Sequence, residues 1–298
     1  MIRSDTITNY LTLIRLPNIF TTIPNILVGY FLFTHIKDTN YIDLFLLISI
    51  SILLYIGGIV LNDYVDLKKD KKERPSRPLP SNKISKKNAL YIYIISISSS
   101  VILSILTSVT GFLITVIIIA LIFIYNLYSK ERSLGPVNMG LIRSLNVLLG
   151  SSISFSLLDL QFTSLKVIII LFFEFLYVFV ITFTSRNEVK KHSTENHFLL
   201  SFSIIYLIIF SILFLIFIDT FNFDSIINTI IFTVAIVYSH LYFYKNKISI
   251  QKLISLLIIF MVIYDSIFIV DSIGYLYGST VLLLLPLIIF LGKKMYMT

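Results

Sequence analysis

Ten stretches of nearly unbroken apolar character divide the chain, near 16–35, 43–62, 88–108, 111–128, 137–158, 165–185, 198–218, 225–244, 252–270 and 275–292. Each is about 18 to 22 residues long, enough for a helix to cross a hydrocarbon layer about 30 Å thick. None alternates apolar with polar residues, which excludes a transmembrane β-barrel. The pattern predicts one all-α integral membrane domain over 1–298, a bundle of nine or ten transmembrane helices. Ten result if 252–292 makes two spans, nine if it bends within one. Arg15 precedes the first run, and Pro17, Asn18, Pro24 and Asn25 interrupt it. No small-residue cleavage site follows, so this run is expected to be a retained helix with its polar residues turned toward protein.

The polar intervals orient the bundle. The longest, between the second and third runs, holds Lys68, Lys69, Lys71, Lys72, Arg74, Arg77, Lys83, Lys86 and Lys87. Lys130 and Arg132, then Arg186, Lys190 and Lys191, then Lys245, Lys247 and Lys252 fall in loops on that same side, while the alternate loops carry little charge. This asymmetry predicts that the N-terminus and these loops are cytoplasmic. It also accounts for the net charge of +8 and pI near 9.4 without nucleic acid as a partner, since the basic residues flank membrane spans. Only 13% of the 298 residues are charged and 57% are apolar, at a mean hydropathy of +0.92, far from a soluble globule. The absence of cysteine removes disulfides, thiolate metal sites and cysteine nucleophiles.

The second run ends in Asn62-Asp63-Tyr64-Val65-Asp66-Leu67-Lys68-Lys69-Asp70, followed by Arg74-Pro75-Ser76-Arg77-Pro78-Leu79-Pro80. At about 100° per residue, Asn62, Asp63, Asp66 and Asp70 share roughly a 100° sector of one helix. Three carboxylates on one face repel unless a cation lies among them, and oxygen ligands without His or Cys suit Mg²⁺ shared with substrate phosphates. Arg74 and Arg77 follow closely, where guanidinium forks hold phosphate oxygens in pairs. Acids, metal and arginines together describe a diphosphate site at a membrane surface. The spacing recurs at the end of the sixth run as Asn187, Glu188, Lys191 and Glu195, which suggests two related halves.

The strings NDYVDLKKD and RPSRPLPSN resemble the first signature of the UbiA-type intramembrane prenyltransferases, N-D-x-x-D-x-x-x-D followed by R-P-x-R-P-[LI]-[PA]-S-G. Asn82 stands where that family has glycine, a change a turn tolerates. Segments 15–30 and 125–150 are similar to the family's first helix and middle segment. The resemblance implies helices around a central cavity, with two acidic clusters facing each other. It implies Mg²⁺ held by Asn62, Asp63, Asp66 and Asp70 and by Asn187, Glu188 and Glu195, and diphosphate bound by Arg74, Arg77, Tyr125, Lys130 and Arg186. Asp63, Asp66, Asp70, Glu188 and Lys191 are the expected catalytic set. The second signature departs from the family, for Lys191 replaces its middle acid, and a lysine there is expected to bind phosphate in place of a second metal.

The activity implied is transfer of an isoprenoid group from an allylic prenyl diphosphate to a lipophilic or aromatic acceptor within the membrane. Aromatic faces suit the allylic cation, and the 18 Tyr and 25 Phe make them plentiful without singling out a ring. Arg143, expected about one turn into its helix, is costly in lipid and calls for phosphate or a buried partner, with Asn146 on its face. Glu174 has no evident partner in sequence, Asp265 and Asp271 are similarly costly, and the four histidines show no ligand spacing. Two other functions fit a helical bundle: a transporter, and a non-catalytic lipid-binding protein. A transporter would place its polar groups near the midplane, whereas both acidic clusters end their helices at one surface. No D-G-x-x-A-R string supports a CDP-alcohol phosphotransferase.

Overall fold

The computed structural model describes residues 2–154, 165–185, 223–245, 248–293 and 295. All regular structure among them is helical. A polar N-terminal helix α1 (Ile2–Leu13) turns into α2 (Leu16–Ile19) and α3 (Thr22–Phe33), followed by α4 (Tyr41–Val65) and the short α5 (Leu67–Glu73). Then come α6 (Lys86–Thr107), α7 (Val109–Ile124), α8 (Gly135–Ser151), α9 (Leu165–Ser185), α10 (Phe223–Tyr244), α11 (Ile250–Ile273), α12 (Tyr275–Gly278) and α13 (Leu284–Gly292). Among the described residues, eight helical segments are long and apolar enough to cross a membrane, and α8 adds a shorter buried helix of 17 residues. The run expected at 198–218 lies outside the described residues, so the structure does not confirm the expected count of nine or ten.

The helices begin where the sequence supplies acceptors for their free N–H groups. Asn40, Ser85, Ser108 and Ser249 each cap a following helix by accepting from backbone amides in its first turn. Helix α11 is the central column, 78% of its span buried, whereas α6 is 22% buried and turns residues such as Ile95, Ile102 and Leu106 outward, as lipid contact requires. Small residues set the closest approach. A side chain on Gly29 would run into the carbonyl of Val147, and one on Gly150 into that of Ile26, so α3 and α8 cross backbone to backbone. Ser96, Ser100 and Ser104, one turn apart and all buried, let α6 lie close to α4 in the same way.

Among the described residues, two large apolar cores result, beside two smaller ones. One joins Ile26, Leu47, Leu54, Ile114, Ile118 and Leu149 from α3, α4, α7 and α8. The other gathers Tyr177, Phe232, Tyr264 and Phe268 from α9, α10 and α11, with Tyr177 stacked on Tyr264 at 4.7 Å. Helices α3 and α8 contribute to both and therefore fix the position of everything at the ends of α4 and α7.

Candidate functional site

The acidic signature sits on a helix that barely stops. The amide of Asp66 donates to Asn62 O, that of Asp70 to Asp66 O and that of Arg74 to Asp70 O, at 2.8 to 3.0 Å, so α4 runs through one kink into α5. That continuity puts Asp63, Asp66 and Asp70 along one face, as the spacing predicts. Asp63 and Asp70 are buried, while the Asp66 side chain is 20% exposed.

The following loop folds back beneath them. Leu79 and Ile84 bury against Leu13, Val60 and Ala89, and the Ile84 amide closes the loop on Pro78 O. Asn82 takes the left-handed conformation at φ 60°, which explains how it serves where the family has glycine. This fold carries Arg77 inward, where its Nη1 donates to Asp70 at 2.9 Å and lies 3.6 Å from Asp63. Arg15, between α1 and α2, donates to the same Asp63 carboxylate at 3.3 Å from a strained backbone at φ 50°. The repulsion among carboxylates on this face is thus relieved by two arginines. Arg77 keeps one buried nitrogen, Nη2, with no acceptor among the described residues.

The end of α7 completes the group. Tyr125–Ser129 forms one π-helical turn, closed by the Lys130 amide on Tyr125 O at 3.0 Å, a distortion common at working sites. The turn aims Lys130 at Asn62 and Asp66, to both of which its ammonium donates. Lys69 meanwhile reaches Glu131 at 3.0 Å, so two ion pairs tie α5 and its junction with α4 to the segment after α7. Burial pushes both Arg77 and Lys130 below their ordinary pKa values, and the carboxylates beside them pull the other way.

Arg143 is not brought to this group. It lies eight residues past Gly135, over two turns into α8, and its three nitrogens donate to Glu174 at 3.2 Å, Thr21 O at 3.2 Å and Asp265 at 2.6 Å. The expected diphosphate role gives way to a buried ion network, because two helices offer carboxylates at that depth. Glu174, without an evident partner in sequence, also accepts from Asn25 at 3.3 Å. Asp271 pairs with Lys166 at 2.8 Å near the far end of α11. Arg186, Asn187, Glu188, Lys191 and Glu195 lie outside the described residues. Arg15 is the contributor that sequence pattern passed over; its signal was the Arg-Leu-Pro-Asn string, read as a helix start.

Among the described residues no three carboxylates converge to hold a metal ion, since each is drawn to a cationic side chain. The donor chemistry nonetheless fits Mg²⁺: oxygen ligands alone, on one face, beside a guanidinium nitrogen awaiting an acceptor.

Among the described residues the fold is that of an all-helical, multi-pass membrane bundle whose helix ends carry aligned carboxylates paired with cationic side chains. The profile of the UbiA prenyltransferase family matches residues 22–297, and the chain belongs to that family. The digeranylgeranylglyceryl phosphate synthase of Sulfurisphaera tokodaii is 30% identical over 181 residues, which are 61% of this chain and 62% of that protein. The corresponding enzyme of Sulfolobus acidocaldarius is 34% identical over 49% of this chain and 50% of its own length, so the chain matches only about half to three-fifths of these relatives. In fold it is similar to the apo UbiA homologue from Aeropyrum pernix K1, with TM-score 0.69 at 15% identity over 85% of this chain and 97% of that one. A UbiA homologue from Archaeoglobus fulgidus bound to GPP and Mg²⁺ gives TM-score 0.58 at 14% identity over 89% and 98%.

Proposed function

We propose that the chain transfers an isoprenoid group from an allylic prenyl diphosphate to a lipophilic acceptor in the membrane, with the site on the cytoplasmic side. One observation carries this reading: Arg77, buried between Asp63 and Asp70, with a donor nitrogen left over. An anion with several oxygens, set against the acids through a cation, satisfies every group there. Family membership and the A. fulgidus homologue bound to GPP and Mg²⁺ support the same substrate class, and the names of the S. tokodaii and S. acidocaldarius relatives support a glycerol-phosphate-derived acceptor. The loop charge asymmetry supports the orientation.

Mg²⁺ held by Asp63, Asp66 and Asp70 with Asn62 would supply positive charge to the departing diphosphate. The chain's own groups do the rest. Arg77 and Lys130 face the charge that develops as the bond from allylic carbon to diphosphate oxygen lengthens, Arg77 from a buried position that water does not screen and Lys130 from a partly open one. Tyr125 begins the turn that aims Lys130. On the same reading Arg74 and Arg186 bind phosphate, Asn187, Glu188 and Glu195 are metal ligands by family resemblance, and Lys191 takes the place of a second metal.

The test is release of diphosphate from geranylgeranyl diphosphate by the purified protein. Release that requires Mg²⁺ and is lost in Arg77→Ala supports the proposal; no metal-dependent release from any allylic diphosphate overturns it.

A further inference from the structure

Six lysines, Lys68, Lys71, Lys72, Lys83, Lys86 and Lys87, stand exposed around the acidic signature, and Glu73 is the one exposed acid of residues 63–87. The other carboxylates of that stretch are committed elsewhere, Asp63 to Arg15 and Arg77, Asp70 to Arg77, and Asp66 to Lys130. The six charges are therefore presented outward with little to offset them.

They belong to a folded surface. Leu67 of α5, Ile84 of the following loop and Ala89 of α6 pack into one apolar cluster with Leu13 and Val60, which gathers the lysines flanking them. The Lys86 ammonium lies over the Tyr64 ring, 4.6 Å from its centre, and joins the start of α6 to the end of α4. On α5, Lys68, Lys71 and Lys72 share one face at i, i+3 and i+4, a spacing at which like charges weaken a helix. Membrane orientation needs basic residues in a loop but no such gathering on a fold. A surface that holds this much like charge together is completed by an anion.

Its level in the bundle identifies that anion. Leu90, Tyr91, Ile94 and Ile95, in the first turns of α6, are exposed residues of a membrane-spanning helix, and Val65 is exposed at the end of α4. Lys87 lies over the Tyr91 ring at 5.6 Å. Lysine stems laid along tyrosine rings at the head of an apolar face mark the boundary between hydrocarbon and head groups. The ammonium groups thus stand where lipid phosphates are the nearest anions.

We propose that Lys68, Lys71, Lys72, Lys83, Lys86 and Lys87 form a docking surface for the anionic phospholipid head groups of the adjoining leaflet, and that bound head groups steady α5 and the loop after it. These segments carry Asp70 and Arg77, so the charge of the leaflet sets how firmly the acidic signature is seated. The inference goes beyond the prenyl-transfer reading and holds whichever reaction the site performs.

The experiment compares hydrogen exchange of the full-length protein in lipid discs of phosphatidylcholine alone and of phosphatidylcholine with phosphatidylglycerol in equal parts. Amides of residues 67–87 should exchange at least about threefold more slowly in the anionic discs, and about 1 M salt should remove the difference. Lys68→Gln, Lys71→Gln and Lys72→Gln combined should lose this protection, whereas Lys245→Gln with Lys252→Gln, at the junction of α10 and α11, should keep it. Equal exchange of the parent protein in the two discs overturns the proposal even if no variant folds. Protection that survives the triple substitution overturns it too, as does protection lost equally in the Lys245 and Lys252 variant, which would make it an effect of net charge. Soluble inorganic diphosphate that protects residues 67–87 where phosphatidylglycerol does not would assign the surface to a free anion and likewise overturn the proposal.

Discussion

Arg77 donates to Asp70, seven residues before it, and both side chains are about 5% exposed or less. The pair makes the acidic signature part of the fold as well as of the site, and the three aspartates should therefore respond differently to mutation. Asp66→Ala removes a half-open carboxylate whose partner Lys130 can reach water, so thermal stability should hardly change while Mg²⁺-dependent diphosphate release falls by about a hundredfold or more. Asp70→Ala leaves the buried Arg77 guanidinium only its longer contact with Asp63, at 3.6 Å, and should cost about 2 to 3 kcal/mol besides the activity. Melting temperatures and release rates on the two variants check this; equal stability would remove Asp70 from its structural role.

Asn82 provides a conformational test. Its φ of 60° suits glycine and asparagine, so Asn82→Gly should leave melting temperature and activity near those of the parent. Asn82→Val, branched at Cβ, should cost about 1 to 2 kcal/mol and loosen the loop that seats Arg77. Limited proteolysis between residues 74 and 85 should be faster in the valine variant alone.

Glu131 gives a pH dependence with a definite sign. The hydrogen bond and charge of Lys69 hold its carboxyl below the ordinary value. A depressed carboxylate adds stability that is present above its unfolded pKa and lost as pH falls through the folded one, so the tie between α5 and the segment after α7 weakens only in the acid range. Glu131 is almost fully exposed, and salt should screen the effect. Protection from hydrogen exchange at residues 67–73, corrected for the intrinsic pH dependence of amide exchange, should fall on acidification in the parent, and Glu131→Gln should show the lower protection at neutral pH already.

Much of this organisation is visible in the chain. Apolar runs locate the spans because lipid leaves backbone groups no partner but their own helix. The spacing of Asn62, Asp63, Asp66 and Asp70 locates the site face because helix geometry is local. The sequence leaves Arg143 between phosphate and a buried partner, because its cost is visible but its partners, 31 and 122 residues away, are not. Helix α1 left little trace because its polar, threonine-containing sequence lacks an apolar stripe. The mid-depth ion network is a feature expected of transporters; it is family membership, matched across 22–297, that places the chain among prenyltransferases.

Arg15 separates backbone from side chain most cleanly. Its left-handed conformation bends α1 into α2, ahead of Pro17, and costs about 1 kcal/mol for a residue with a Cβ. Its guanidinium reaches Asp63, which Arg77 also neutralises, so losing Arg15 does not leave that carboxylate alone. Arg15→Gly should therefore relieve the backbone while deleting the ion pair, leaving the melting temperature close to that of the parent. Arg15→Ala keeps the strain, loses the pair, and should be the less stable of the two by about 1 kcal/mol. If Arg15 serves the diphosphate site through Asp63, both variants should need more prenyl diphosphate for half-maximal release, by a similar factor despite their different stabilities. Weakening that follows stability instead would make Arg15 a purely structural residue.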